Sequence, residues 1–410
     1  MKHILCLTTS YPLWSHDISG HFVQRLNELY LKAGYRVTVI CFDRGDRPDH
    51  ETASEHNQDS VVTVITVKVV KGSMRGGAPD QISVSPWKSA LTMPINMVRL
   101  ALAFQKEVKR CVEVGEVPYV IAHWSIPCGF IARSHSPVIY CHGGDIATLE
   151  RLPFGQTITQ QIVSKARAVI CVSHDLKDRL ERLSHSHRKI KTIPMGIDEP
   201  KVSHVYRREL QKLAKGHFII VTIGRLEAIK GYDLLLKALG QLKRAERSKV
   251  KWLMAGDGSD REALLHSAES LHVNVHSLGL VNPSQRDTLL SIADVFVSPS
   301  RQIGHRVEGA PLSLREAALS GCPIIATELG GVKAILDRLP QRLIHRVKPE
   351  AKSILSAISY RLHQQEESSE TDQALDERSR QEMSRVAAQL WTWRVLEPFH
   401  MTLVDQYIQE

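Results

Sequence analysis

"FIIVTIGRLEAIKGYDLLLKAL", residues 218–239, carries two hydrophobic rhythms in one stretch. Residues 218–223 form an apolar, β-branched run, the pattern of a strand covered on both faces. Gly224 permits a tight exit, and from Tyr232 onward the apolar residues fall at helical spacing. A strand, a short loop and a helix make the repeating half-unit of a parallel α/β sheet.

The rhythm extends in both directions. Downstream, "KWLMAG", "VNVHSLGL", "DVFVSPS" and "PIIATEL" read as strands separated by helix-length segments. Upstream, "ILCLTTS" and "RVTVICF" flank the helical "GHFVQRLNELYLKAG"; "VVTVITVKVV", "YVIAHW", "VIYCHG", "AVICVS" and "IKTIPM" follow as strands. A break near residues 198–216 separates two series. The expected fold is α/β, with two Rossmann-like doubly wound domains facing an interdomain cleft. Residues 1–200 form the first domain and 201–390 the second, with a C-terminal helix over 391–410 packing back toward the first. The acidic "HQQEESSETDQALDERSRQE" (363–382) reads as an exposed loop leading into a helix.

With 43% hydrophobic and 24% charged residues, the chain falls in the soluble globular class. No apolar run reaches the roughly 18–20 residues that a spanning helix needs. "MKHILCLTTSYPLW" has no A-x-A-like cleavage site and reads as a first strand rather than a signal peptide. Seven scattered cysteines with no C-x-x-C point to buried, reduced thiols, not disulfides or zinc, and the expected compartment is the cytoplasm. The net charge of +9 is concentrated in residues 201–360, which hold 24 basic against 15 acidic side chains. That suits an anionic ligand or surface. No Arg/Lys-rich run with interleaved aromatics appears, which argues against nucleic acid.

Ligands of open α/β sheets bind beyond the carboxyl ends of strands. At one such end, Arg225 and Lys230 bracket a helix start, where two cations and backbone N–H groups can hold a diphosphate; the alternative is solvated loop charge. "AGDGSDREALL" (255–265) fails the dinucleotide fingerprint because Arg261 replaces the third glycine. In "VEGAPLSLREAALSG" (307–321), Pro311 fits the first helical position, placing Glu308 on the preceding loop and Glu316 in the second turn. Gly309 lets that loop approach a ligand closely, while Glu316 can equally be a capping or ion-pair residue. In the first series, His142 and Asp145 follow one strand and His123 and Trp124 another. H-E-x-x-H and Cys/His zinc spacings are absent, so no metal ligands are expected.

Taken together, "GRLEAIKG", "AGDGSDREAL", "LGLV", "ADVFVSPS", "EGAPLSLREA" and "SGCPIIATELGG" resemble the GT-B-fold glycosyltransferases of the large retaining family 4 (group 1). "SGHFVQRLNELYLKAGYRVTV", "CHGGDI", "ICVSHDLKDRL" and "IPMGID" add to the pattern, which in order covers most of residues 1–335. The resemblance implies an acceptor-binding N-terminal domain and a donor-binding C-terminal domain. It implies that Arg225 and Lys230 hold the donor diphosphate and stabilise the leaving group, and that Glu316 binds the nucleotide ribose. Glu308 would lie beside the donor sugar with the backbone of Gly309, Ala310 and Pro311. His142 would reach the sugar, and Gly20 would sit near the phosphates and acceptor. The implied enzyme is a hexosyltransferase moving a sugar from an NDP-sugar co-substrate to a saccharide or lipid-linked acceptor in envelope polysaccharide or glycolipid synthesis. Retention of configuration comes from the family alone.

No D-x-D is present, so catalysis without a metal or other cofactor is expected. Residues 86–110 combine Trp87, Met93, Ile95 and Met97 with Lys88, Arg99, Lys106 and Arg110. They read either as a peripheral contact with the inner face of a membrane or as a helix buried on the first sheet. Three departures stand out: Ala334 after Lys333 where the family has a glutamate, "DRLPQRLIHRV" for a Gly-Leu-Leu-Val segment, and Val307 before Glu308. The altered "GGVKAIL" region leaves open a catalytically silent GT-B subunit that binds nucleotide sugar or scaffolds a synthase. A dinucleotide-dependent oxidoreductase would need the fingerprint that fails at Arg261.

Overall fold

The computed structural model describes residues 2–13, 20–43, 62–68, 74–75, 78–79 and 86–409. Two compact units emerge, one of residues 1–195 with 396–410 and the other of 196–395. The chain therefore crosses between them at 195/196 and again at 395/396.

In the first unit the strands are β1 (His3–Leu7), β2 (Arg36–Asp43), β3 (Val62–Lys68), the short pair β4 (Met74–Arg75) and β5 (Ala78–Pro79), β6 (Tyr119–His123), β7 (Val138–Cys141), β8 (Ala168–Cys171) and β9 (Ile190–Thr192). Seven of them form one sheet in the order β3-β2-β1-β6-β7-β8-β9, parallel throughout. The order reverses between β1 and β6, which opens a crevice at their carboxyl ends. β1, β7 and β8 are buried at every position, as strands covered on both faces must be.

Helix Pro86–Glu113 covers part of this sheet with Leu100 and Phe104 while Ile95, Val98 and Leu102 stay 48%, 58% and 65% exposed. The segment thus has one face buried on the sheet and one face exposed. The side chains of Trp87, Lys88 and Met93 lie outside the described residues. The C-terminal helix Trp393–Gln409 supplies partners to the first unit: Asp405 accepts from the Tyr35 hydroxyl at 2.5 Å. All seven cysteines are buried and none is in a disulfide. Among the described residues, no helix is long and apolar enough to cross a membrane.

The second unit contains β10 (Phe218–Ile223), β11 (Val250–Ala255), β12 (Val275–Gly279), β13 (Val295–Ser298), β14 (Ile324–Thr327) and β15 (Ile344–Val347). They form a parallel sheet in the order β12-β11-β10-β13-β14-β15, reversing between β10 and β13. Val221, Leu253, Phe296 and Ile324 build the core on one face. Ile220, Trp252, Val295 and Ile325 build it on the other. Each such side chain contributes roughly 1.5–3 kcal/mol of burial.

Two local expectations are corrected. Residues 363–382 are not an exposed loop: helices Ala351–Glu367 and Glu370–Trp391 leave only a two-residue break. Glu, Gln and Arg are good helix formers, and Ser369 and Asp372 form a reciprocal capping box that restarts the helix. Pro311 takes the cap position, with the helix running Leu312–Leu319 one residue later than its spacing suggests.

Candidate active site

The β10/β13 reversal point is where the second unit gathers charge. β10 ends at Ile223, and the chain turns through Arg225 and a short 3-10 turn, Ala228–Lys230, into helix Tyr232–Gly240. β13 ends at Ser298, and the loop that follows carries Glu308. Because the two strands are neighbours, Lys230 Nζ and Glu308 Oε1 meet at 2.9 Å, both mostly buried. Arg225 is more than half exposed and pairs with Glu227 at 2.7 Å; Arg306 approaches the same carboxylate at 3.6 Å. Glu308 also raises the Tyr232 hydroxyl pKa, though burial is the larger cause.

The loop carrying Glu308 is seated by the "ELGG" turn after β14. Gly331 N–H donates to the Glu308 carbonyl at 3.0 Å. A Cβ on Gly331 would stand 1.4 Å from the Gly309 carbonyl oxygen, so only glycine permits this approach. The Gly309–Pro311 backbone is thereby fixed between Glu308 and helix Leu312–Leu319. Lys333, next to the departure at Ala334, pairs with Asp337 at 3.2 Å and Glu328 at 3.6 Å, and the helix Gly331–Leu336 is intact.

Glu316 is held by Arg286 at 2.6 Å. Burial pushes the Glu316 carboxyl above its ordinary value, with Arg286 opposing. Sequence reasoning passed over Arg286, which lies in "NPSQRDTLL" with nothing to mark it. Glu227 was missed for the same reason: its role is visible only through partners.

In the first unit, the loops after β6 and β7 converge. His123 Nδ1 and His142 Nε2 are 3.1 Å apart, and Trp124 and Phe22 lie against the His142 ring at 4.9 and 4.7 Å. Asp145, wholly buried, is what joins the loops. Its Oδ2 accepts from Ser125 N–H at 2.7 Å, and its Oδ1 from the N–H groups of Gly143 and His142 at 2.9 and 3.2 Å. Burial lowers His142 to about 4, against the pull of Asp145, so its imidazole is neutral at physiological pH. Gly20 opens helix His21–Lys32 at φ 71°, where a Cβ would stand 2.2 Å from the Ser10 carbonyl. It lies beyond the carboxyl end of β1, the strand beside β6.

Far from these loops, at the amino end of β1, ligand atoms of His3, Cys111 and Glu116 lie within 4.8 Å of one another. The Arg36 guanidinium already bonds His3 at 2.9 Å and also Glu116, so a cation fills the place where a metal would sit.

Comparisons with known proteins bear on the family and the fold. The family model "Glycosyltransferase Family 4" matches residues 19–200, and "Glycosyl transferases group 1" matches residues 206–382. A Bacillus subtilis protein named as the teichuronic acid biosynthesis glycosyltransferase TuaC is 26% identical over 379 residues, spanning 88% of this chain and 90% of that protein. Sucrose-phosphate synthase of Thermosynechococcus elongatus superposes with a TM-score of 0.72 at 17% identity, covering 100% of this chain and 99% of that one. Anabaena HepE, solved in complex with UDP, gives 0.67 at 17% identity, covering 99% and 100%. The chain belongs to the group 1 glycosyltransferases of GT-B fold, and it is a glycosyltransferase.

Proposed function

We propose that the protein moves a sugar from a nucleoside diphosphate sugar to a saccharide or lipid-linked acceptor, in envelope polysaccharide or glycolipid synthesis. The observation that carries this reading is the Lys230–Glu308 pair at the β10/β13 reversal, with Arg225 on the same loop. UDP bound to the Anabaena protein and the teichuronic acid assignment of the Bacillus one support the donor and acceptor classes.

In this reading the second unit holds the donor. The bond from C1 to the diphosphate oxygen breaks, its electron pair stays on the diphosphate, and Arg225 and Lys230 stabilise that charge without reorganising. Glu308 and the Gly309–Pro311 backbone orient the sugar, and Glu316 takes the ribose. In the first unit His142, neutral, contributes a hydrogen bond to the sugar, and Gly20 lies near the phosphates. The acceptor hydroxyl oxygen bonds C1 with retention, its proton passes to the departing diphosphate oxygen, and no metal takes part. The intact turn around Gly331 favours an active enzyme over a silent subunit. Ile95, Val98 and Leu102, exposed beside Arg99, support a peripheral membrane contact, which flotation with anionic vesicles tests.

The deciding experiment is calorimetric titration of UDP, GDP and ADP into the protein and into an Arg225→Ala/Lys230→Ala variant. One nucleotide should bind, and the variant should lose about 30-fold or more in affinity. Binding of none of the three overturns the donor assignment. Loss of transfer on chelation, restored by manganese, overturns the metal-free step.

A further inference from the structure

Glu316 and Arg286 retain only 11% and 18% of their side-chain surface. Arg286 Nη1 donates to Glu316 Oε1 at 2.6 Å, and its Nε and Nη2 engage Asp287 Oδ1 at 2.9 and 2.7 Å. Asp287 Oδ2 in turn accepts from the Lys201 N–H at 2.8 Å, and Thr288 Oγ1 accepts from the Ser203 N–H at 2.8 Å. Three segments are thus tied together: residues 201–203, helix Pro283–Ile292 and helix Leu312–Leu319. At the end of this chain Glu316 Oε1 is engaged, while no described residue bonds its Oε2.

We propose that Arg286 is a positioning residue of the nucleotide site, holding Glu316 ionised and presenting Oε2 as the acceptor for the ribose hydroxyls. This rests on the reading of Glu316 as the ribose-binding residue. A buried carboxylate with no cation beside it takes up a proton. It would then lose the charge-assisted bonds that a diol makes to an anion. The groups that face Glu316 are Arg286 and Asp287 from helix Pro283–Ile292, Asp198 from just upstream of residues 201–203, and Arg315 on its own helix. Burial is the largest influence and disfavours its charge, as do the two aspartates; the arginines oppose them, with Arg286 the stronger. The guanidinium is itself held protonated: burial disfavours its charge, and the carboxylates of Glu316 and Asp287 outweigh that.

The test has two arms. Carbon-13 titration of the Glu316 carboxyl in ligand-free protein should find its pKa higher in Arg286→Met than in wild type, with Arg286→Lys close to wild type. Calorimetry with UDP, GDP and ADP across acid to alkaline pH should then find Arg286→Met weakened about 10- to 100-fold at acid pH. The loss should shrink as pH rises, while Arg286→Lys keeps the wild-type profile. In a Glu316→Gln background the Arg286→Met loss should nearly vanish. A Glu316 titration that ignores Arg286→Met, or an undiminished loss in the Glu316→Gln background, overturns the proposal. If wild type binds none of the nucleotides, the donor reading falls and takes the ribose with it, while the carboxyl titration still decides whether Arg286 holds Glu316 ionised.

Discussion

Lys230 and Glu308 meet because β10 and β13 are neighbours in the sheet although β11 and β12 lie between them in the chain. Each side chain on its own is a loop charge; as a mostly buried pair they fix each other's position at a strand end. Lys230→Met should therefore lower kcat/KM by about 10²–10³-fold, since it removes a preorganised cation from the leaving group. Initial rates with the cognate donor measure this, and a loss under about tenfold would return Lys230 to the status of a solvated charge. His142 makes a different prediction. With its pKa held at about 4 by burial, it contributes no ionisation limb to kcat/KM between about pH 5 and 8. A limb that vanishes in His142→Asn would contradict this.

At the scale of elements, the turn Gly330–Gly331 does more than end β14: it clamps the loop of Glu308. Gly331→Ala drives a Cβ into the Gly309 carbonyl, so either the clamp or the loop must move. The variant should lose about 2 kcal/mol or more of stability in urea unfolding. It should also weaken nucleotide binding, which a purely global effect would not do well below the unfolding midpoint. Elements differed in how legible they were. Buried strands such as β10 and β13 declared themselves by unbroken apolar runs. β15 did not, because His345 and Arg346 occupy its middle and it lies at the sheet edge. Residues 363–382 are exposed as their low aliphatic content suggests, but they are helical rather than a loop, because Glu, Gln and Arg favour helix and only Ser379 of the range needs to be buried.

At the scale of the whole molecule, each unit is a parallel sheet whose strand order reverses once, at β1/β6 and at β10/β13. The first unit is also closed by the C-terminal helix through a buried hydrogen-bond chain. His400 Nε2 donates to the Pro194 carbonyl at 3.0 Å, and its Nδ1 accepts from the Tyr140 hydroxyl at 3.2 Å. Burial lowers His400 from 6.5 to about 4, so the unfolded chain binds its proton first as pH falls. Stability from this group is complete above pH 6.5 and declines toward pH 4, by about 3 kcal/mol in all. His142 acts in the same direction. Urea midpoints should fall across that window, and His400→Gln should flatten the slope. The sequence by itself determined the alternation of strands and helices, the two series and the family, because periods of two and 3.6 residues and short motifs are local properties. It also marked Arg225, Lys230, Glu308, Glu316 and His142 as candidates. Only the tertiary structure decided that Lys230 pairs with Glu308 and Glu316 with Arg286. Strand order in a sheet and the burial it creates are set by packing across the whole unit, and no local pattern in the chain encodes them.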